Sequence, residues 1–353
     1  MVVNIESNYF NHDLPVSNAG PVRRTSQVRR AERKKQCLTI GLLNNMAGPA
    51  FKATERQFLT LLDAASEGIP IHASFYRLPG LSRAEAGGSR FSSHYASVEA
   101  LWDTHLDGLI VTGREPKTPD LRDEPYWHSF THVLDWARNN THSTVWSCLA
   151  AHAAALHMDG IQRIKAESKN FGVFDCLLES AHPLTQGIAS RFGIPHSRWN
   201  GIERNRLLDS GYRILSSTTE GSIDAFAKQE KSLFVFFQGH PEYDTDTLMR
   251  EYRRDVSRFV RGETASHPLL PKNYFDARTE RTLTEFRQRA VSNPNIQILD
   301  HVVATLESAK IENTWRTSAT GVYRNWLQFI AAQKRQAHYK VHSEPVLPEA
   351  QSA

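Results

Sequence analysis

Cys148 is the residue in this chain best placed for nucleophilic chemistry. It stands in Thr144-Val145-Trp146-Ser147-Cys148-Leu149-Ala150-Ala151-His152-Ala153-Ala154-Ala155. The residues before it favour a strand and the alanine-rich run after it favours a helix, so the cysteine falls on a strand-to-helix elbow. A helix N-terminus carries partial positive charge, which favours thiolate on a sulfur placed there. The plain alternative for a cysteine in an apolar run is a buried, inert side chain. A second stretch argues against that alternative: Ser232-Leu233-Phe234-Val235-Phe236-Phe237-Gln238-Gly239-His240-Pro241-Glu242. Its strand-forming run delivers His240, and Pro241 disfavours helical geometry there. In extended chain, residues two apart project to the same side, so the Glu242 carboxylate can hold one imidazole nitrogen and leave the other for Cys148. Cysteine, histidine and an orienting carboxylate are the parts of nucleophilic acyl transfer.

These residues need a scaffold that brings distant strand ends together. Cys37 to Leu43 reads as a first buried strand followed by the turn-rich Asn44-Asn45-Met46-Ala47-Gly48-Pro49, Thr54 to Leu62 has helical apolar spacing, and Ile69 to Leu78 supplies the next strand. Leu106 to Gly113 is a further buried strand, and Asp123 to Arg138 carries an apolar stripe at helical spacing that reads as core. Alternating strands and helices predict an α/β fold with a mostly parallel sheet flanked by helices. Ligands gather at the carboxyl ends of such strands, so the loop after Leu43, the segment Gly113 to Thr118 and the Cys148 elbow are expected to line one site. The backbone N–H of Leu149, in the first helical turn, is a candidate oxyanion donor, a group typically worth about 3 kcal/mol of barrier.

Cys148-Leu-Ala-Ala-His-Ala-Ala, Gly239-His-Pro-Glu-Tyr-Asp and Leu43-Asn-Asn-Met together resemble the homoserine O-acyltransferase family of methionine biosynthesis, whose fold is that of class I glutamine amidotransferases (flavodoxin-like). The resemblance runs from about Cys37 to about Ile330, with Asp107 to Gly113, Pro195-His-Ser-Arg198, Arg254-Asp255 and Asn325-Trp-Leu327 in family order. It implies that Lys169 contacts substrate and that Ser197, Arg198 and Arg254 bind the amino acid, whose carboxylate a guanidinium can hold with two parallel hydrogen bonds. It further implies acyl-CoA and a small hydroxy amino acid as substrates; a homodimer is the expected assembly. At the position that separates acetyl-transferring members (Glu) from succinyl-transferring members (Gly), this chain carries Lys117. An ammonium there attracts the free carboxylate of a succinyl group, which favours succinyl-CoA over acetyl-CoA.

The implied chemistry is a double displacement in which Cys148 takes the acyl group from CoA, His240 moves the protons, Glu242 fixes the imidazole, and the homoserine hydroxyl then attacks the acyl-cysteine. Serine or another small hydroxy amino acid could use the same carboxylate clamp. A glutamine amidotransferase-like protein would use the same catalytic residue types, but its elbow usually reads Gly-x-Cys-x-Gly, and here Trp146 and Ala150 hold the glycine positions. A binding protein that kept the fold and lost activity is the non-enzymatic reading; Leu149 and His152, where relatives tend to carry Trp and Gln, speak for it.

The 353 residues are 40% hydrophobic and 23% charged, enough for a large core. The formal charge of +4 does not argue for nucleic acid. Three irregularly spaced cysteines without Cys-x-x-Cys fit neither a disulfide framework nor a structural zinc site, and Cys37 and Cys176 read as structural. No phosphate-binding glycine loop or metal-ligand spacing is seen, so no metal and no cofactor beyond the CoA thioester substrate is expected. No apolar run approaches the roughly 20 residues that span a bilayer, which makes the cytoplasm the expected compartment and a membrane partner unexpected. Residues 1–36 read as a basic polar arm, 37–330 as the acyltransferase domain with a helical insertion at 279–311 serving as an oligomer contact or a lid, and 331–353 as a disordered tail.

Overall fold

The fold was obtained as a computed structural model that describes residues 3–5, 37–79, 94–293 and 295–343. Its centre is a row of parallel strands: β1 (Val3–Ile5), β3 (Ile71–Arg77), β2 (Leu38–Leu43), β5 (Gly108–Thr112), β6 (Ser143–Ser147) and β11 (Leu233–Phe237), in that spatial order. β4 (Tyr95–Ser97) adds a further parallel pairing to β3. All residues of β5, β6 and β11 are buried. Strands covered on both faces need no polar alternation, which is why they read as continuous apolar runs.

The two faces of the sheet are nevertheless distinct. Trp146, Phe234 and Phe236 join one core with α2 (Trp127–Asn140) and α3 (Leu149–Asp159). Their neighbours Val145, Val235 and Phe237 join the opposite core with α1 (Pro49–Ala65) and the long helix that closes the fold, Arg316–Ser343. That helix packs closely because β5 begins with Gly108, where a Cβ would fall 2.8 Å from Ile330 and 3.1 Å from Trp326.

Beyond β11 the sheet turns antiparallel, through β10 (Ile223–Gln229), β9 (Arg213–Thr218), β7 (Arg163–Leu178) and β8 (Arg191–Ile202). The class expected from sequence, a mostly parallel sheet between helices, therefore carries an antiparallel wing. After α4 (Arg204–Asp209) and α5 (Thr247–Val260), most of the segment 279–311 lies in α6 (Ala277–Ser292) and α7 (Ile296–Ser308). Leu283, Ile298, Val302 and Leu306 pack with Tyr252 and Val256 of α5 and with Phe171, Val173 and Ile194 of the wing. The apolar face expected to serve a lid or an oligomer contact is thus spent inside the chain.

Two expectations about the ends need correction. Val3–Ile5 of the N-terminal arm pairs in parallel with β3, while the basic run that follows lies outside the described residues, as does the Gly/Ser-rich stretch 80–93. The tail expected from residue 331 is helical as far as Ser343, and the closing helix is α8 in chain order. Ala331 to Ser343 contains good helix formers and no proline, and Lys334 Nζ anchors it to the Cys37 carbonyl at 2.8 Å and to Asp107 at 2.7 Å. Among the described residues no helix is long and apolar enough to cross a membrane.

Candidate active site

The parallel strands β2, β5, β6 and β11 all end at one edge, and the candidate residues sit there. Ser147, the last residue of β6, pairs with Thr112 of β5 and Phe237 of β11, and the Cys148 N–H donates to the Phe237 carbonyl at 2.7 Å. The chain must turn sharply to start α3 at the next residue, which forces Cys148 to φ 52°, ψ −113°. Such a backbone is costly for a residue with a Cβ and persists only where its surroundings over-determine it. Buried Ala150, Ala151, Ala153, Ala154 and Ala155 let α3 lie close to the sheet behind it.

Facing this elbow, the turn after β11 carries the base. The His240 N–H donates to the Pro195 carbonyl at 2.8 Å, and its Nδ1 donates to Glu242 Oε1 at 2.8 Å. Nε2 is left for the sulfur, and the charge of Cys148 acts on the imidazole. Burial pulls the imidazole down, but the charges of Glu242 and Cys148 and the hydrogen bond to Glu242 outweigh it and hold His240 well above the usual histidine range. The fold thus brings together all three residues singled out for catalysis.

Gly113 closes the other side of the elbow. A Cβ there would lie 2.7 Å from the Leu149 nitrogen and 2.8 Å from the Ala150 nitrogen. These are first-turn N–H groups without an intrahelical carbonyl to meet, so the space kept open by the missing side chain is where an oxyanion can collect donors.

A second cluster lies beside the first. Tyr243 stacks on His240, and its hydroxyl donates to Glu251 Oε1 at 2.6 Å. Ser197 Oγ donates to Glu251 Oε2 at 2.5 Å. Lys169 Nζ stands 3.4 Å from Asp255, 3.8 Å from Glu251 and 4.2 Å from the centroid of the Phe171 ring. Arg254 binds Asp255 Oδ1 through Nε and Nη2, both at 2.8 Å, and keeps about half of its side chain in solvent. Lys169, Ser197 and Arg254 therefore meet around Glu251. Sequence reasoning missed Glu251 and Tyr243. Their signal was position: Glu251, Arg254 and Asp255 share one helix face, and Tyr243 directly follows Glu242.

Arg198 needs a correction. It is buried, its Nε donates to His196 Nδ1 at 3.1 Å, Nη1 to the Asn200 carbonyl at 2.6 Å, and Nη2 to Ser222 Oγ at 2.7 Å and the Ile223 carbonyl at 3.3 Å. With four of five donors bound internally, it cannot offer a substrate carboxylate two parallel hydrogen bonds. Lys117 is exposed, on a loop held by buried Glu124, which accepts the Lys117 and Thr118 N–H groups at 2.5 and 2.8 Å. His152 is buried, and burial followed by the charges of Arg198 and Arg163 pushes it down to about 3.

With the geometry in place, comparison with known proteins identifies the kind of protein. Residues 16–337 match the family model described as homoserine O-succinyltransferase. The chain belongs to the homoserine O-succinyltransferase family. A homoserine O-succinyltransferase of Rhodopseudomonas palustris is 42% identical over 296 residues, covering 84% of this chain and 89% of the relative. One from Bradyrhizobium japonicum is 41% identical over 303 residues, covering 83% and 90%. A glutamine amidotransferase structure from Methylobacillus flagellatus overlays with a TM-score of 0.46 at 15% identity, covering 83% of this chain and 95% of that one. As a member of the homoserine O-succinyltransferase family the chain is an acyltransferase, and its fold rests on the strand order described above.

Proposed function

We propose that this chain transfers the succinyl group of succinyl-CoA to the hydroxyl of L-homoserine through a succinyl-Cys148 intermediate. One observation carries the reading: a cysteine held at a strained elbow, electrostatically coupled to a histidine whose Nδ1 is fixed by a buried carboxylate.

The Cys148 thiolate attacks the thioester carbonyl, and the developing oxyanion is met by the N–H of Leu149. As the C–S bond to CoA breaks, His240 gives its proton to the departing sulfur. One thioester replaces another, so the acyl-enzyme is not a deep trap. The neutral imidazole then takes the proton of the homoserine hydroxyl as that oxygen attacks succinyl-Cys148, and the thiolate leaves. Glu242 keeps the imidazole proton on Nδ1 throughout and stabilises the cation whenever Nε2 is also protonated.

Homoserine is a zwitterion and needs both signs of charge. In this reading Glu251, with Ser197 and Tyr243 turned toward it, takes the ammonium, while Arg254 and Lys169 take the carboxylate. Lys117 meets the distal carboxylate of the succinyl group. The thioester supplies the driving force, so no cofactor is included, and a homodimer in the cytoplasm completes the proposal. Rapid mixing with succinyl-CoA alone tests it. A stoichiometric burst of CoA thiol is expected, followed by turnover only when homoserine is added; release of CoA that strictly requires homoserine from the first turnover contradicts it.

A further inference from the structure

Arg198 belongs to a buried chain of groups that ends under the catalytic histidine. Arginine only donates, so His196 Nδ1, which receives Arg198 Nε–H at 3.1 Å, must be the lone-pair nitrogen. Burial first, and then the Arg198 charge, keep His196 below its usual range, so it is neutral and its one proton is on Nε2. That proton faces Asp224 Oδ1 across 3.3 Å, a bent contact between two buried atoms that have no other partner. Asp224 Oδ2 accepts from Ser216 Oγ at 2.7 Å. Asp224 also lends its backbone carbonyl to the Gln238 N–H at 2.7 Å.

Resting on this chain is Gly239, the residue before His240. A Cβ on Gly239 would lie 2.6 Å from Asp224 Oδ1, 3.0 Å from His196 Nε2 and 2.5 Å from Ile194 Cγ2. The base-bearing turn is thus in van der Waals contact with the His196–Asp224 pair, and the Pro195 carbonyl beside His196 holds the His240 N–H. We propose, on the catalytic reading given above, that His196 and Asp224 are positioning residues that seat the Gly239–His240 turn, and that Asp224 cancels the Arg198 charge beside the Cys148–His240 pair.

The same atoms invite a different reading, since Cys176, His196 and Asp224 present ligand atoms within 4.8 Å of one another. Three facts oppose a metal. His196 Nδ1 is already bound by a cation, burial pushes the Cys176 thiol far up and keeps it protonated, and the Arg198 guanidinium supplies the positive charge that Asp224 needs.

The test is Asp224→Asn in the full-length enzyme. Asparagine can face His196 with its carbonyl oxygen and donate to Ser216, so shape is kept and only the charge is lost. The groups that face His240 are Glu242 and Tyr243 from its own turn, Cys148 from the start of α3, His196 and Arg198 from β8 and Asp224 from β10. With Arg198 uncompensated, every proton on the Cys148–His240 pair is held less tightly, so both limbs of the kcat/KM–pH profile move to lower pH. kcat is expected to fall on the order of 100-fold, as for a misplaced base, with KM for both substrates little changed. Arg198→Gln removes the opposite charge and moves both limbs to higher pH, which gives a second reading if the first variant fails to fold. Profiles that superimpose on wild type with unchanged kcat overturn the inference, as does one bound metal per chain. Absence of a CoA burst in the wild-type enzyme would instead sink the catalytic reading on which the inference rests.

Discussion

The ring of Tyr243 lies against the imidazole of His240, centroids 4.2 Å apart and planes 14° from parallel, while its hydroxyl holds Glu251. One side chain therefore links the proton carrier to the carboxylate assigned to the acceptor's ammonium. Removing that carboxylate separates the two half-reactions. Glu251→Gln is expected to raise KM for homoserine roughly 10- to 100-fold, the loss of one charge-assisted contact. The amplitude of the CoA burst with succinyl-CoA alone should be unchanged, and a lost burst would place Glu251 in the chemistry.

Gly113 makes a prediction about the oxyanion. Gly113→Ala places a methyl group 2.7 Å from the Leu149 nitrogen. Losing one such donor typically costs about 100- to 1,000-fold in kcat. Pre-steady-state measurement of the acylation rate should show that loss, and a rate within a factor of about three of wild type would remove Leu149 from the assignment.

Two buried histidines give stability opposite dependences on pH. His240 is held above its unfolded value, so its contribution is complete below about pH 6.5 and is lost as pH rises through the raised folded value. Glu242→Gln removes the largest raising influence and should bring that alkaline loss to lower pH. His152 is held down to about 3, so the unfolded chain takes up a proton that the folded chain refuses, and stability falls as pH drops from about 6.5 toward 3. His152→Gln should shift acid unfolding to lower pH. Thermal melts across pH check both signs.

Donor choice at Lys117 should be modest in size because the residue is exposed and a solvated charge pair is worth at most about 1 kcal/mol. Lys117→Glu is expected to lower kcat/KM for succinyl-CoA about fivefold to tenfold and leave acetyl-CoA unaffected. A competition assay with both thioesters reads this directly. An equal effect on both donors would show that the Lys117 charge does not choose the acyl group.

What could be read from the chain was local. Ser147-Cys148-Leu149 announces an elbow because strand formers meet alanines, and His240-Pro241-Glu242 announces a fixed imidazole because proline holds the backbone extended. The antiparallel wing was not legible. Its longest strand breaks register between Lys165 and Asn170 and passes Gly172 at φ 141°, where Lys272 from a remote loop packs onto the backbone, so no clean alternation survives. Arg198 was misread for a related reason: Ser222 and Ile223, which bind its guanidinium, arrive with β10 and leave no local trace. The closing helix was cut short because the prolines that suggested a tail, Pro345 and Pro348, stand beyond Ser343.

The most direct test of the account is the intact mass of the protein after brief exposure to succinyl-CoA without homoserine. Wild type should gain the mass of one succinyl group, lose it when homoserine is added, and show no gain as Cys148→Ala. An undiminished gain in Cys148→Ala would contradict the assignment of the acyl carrier.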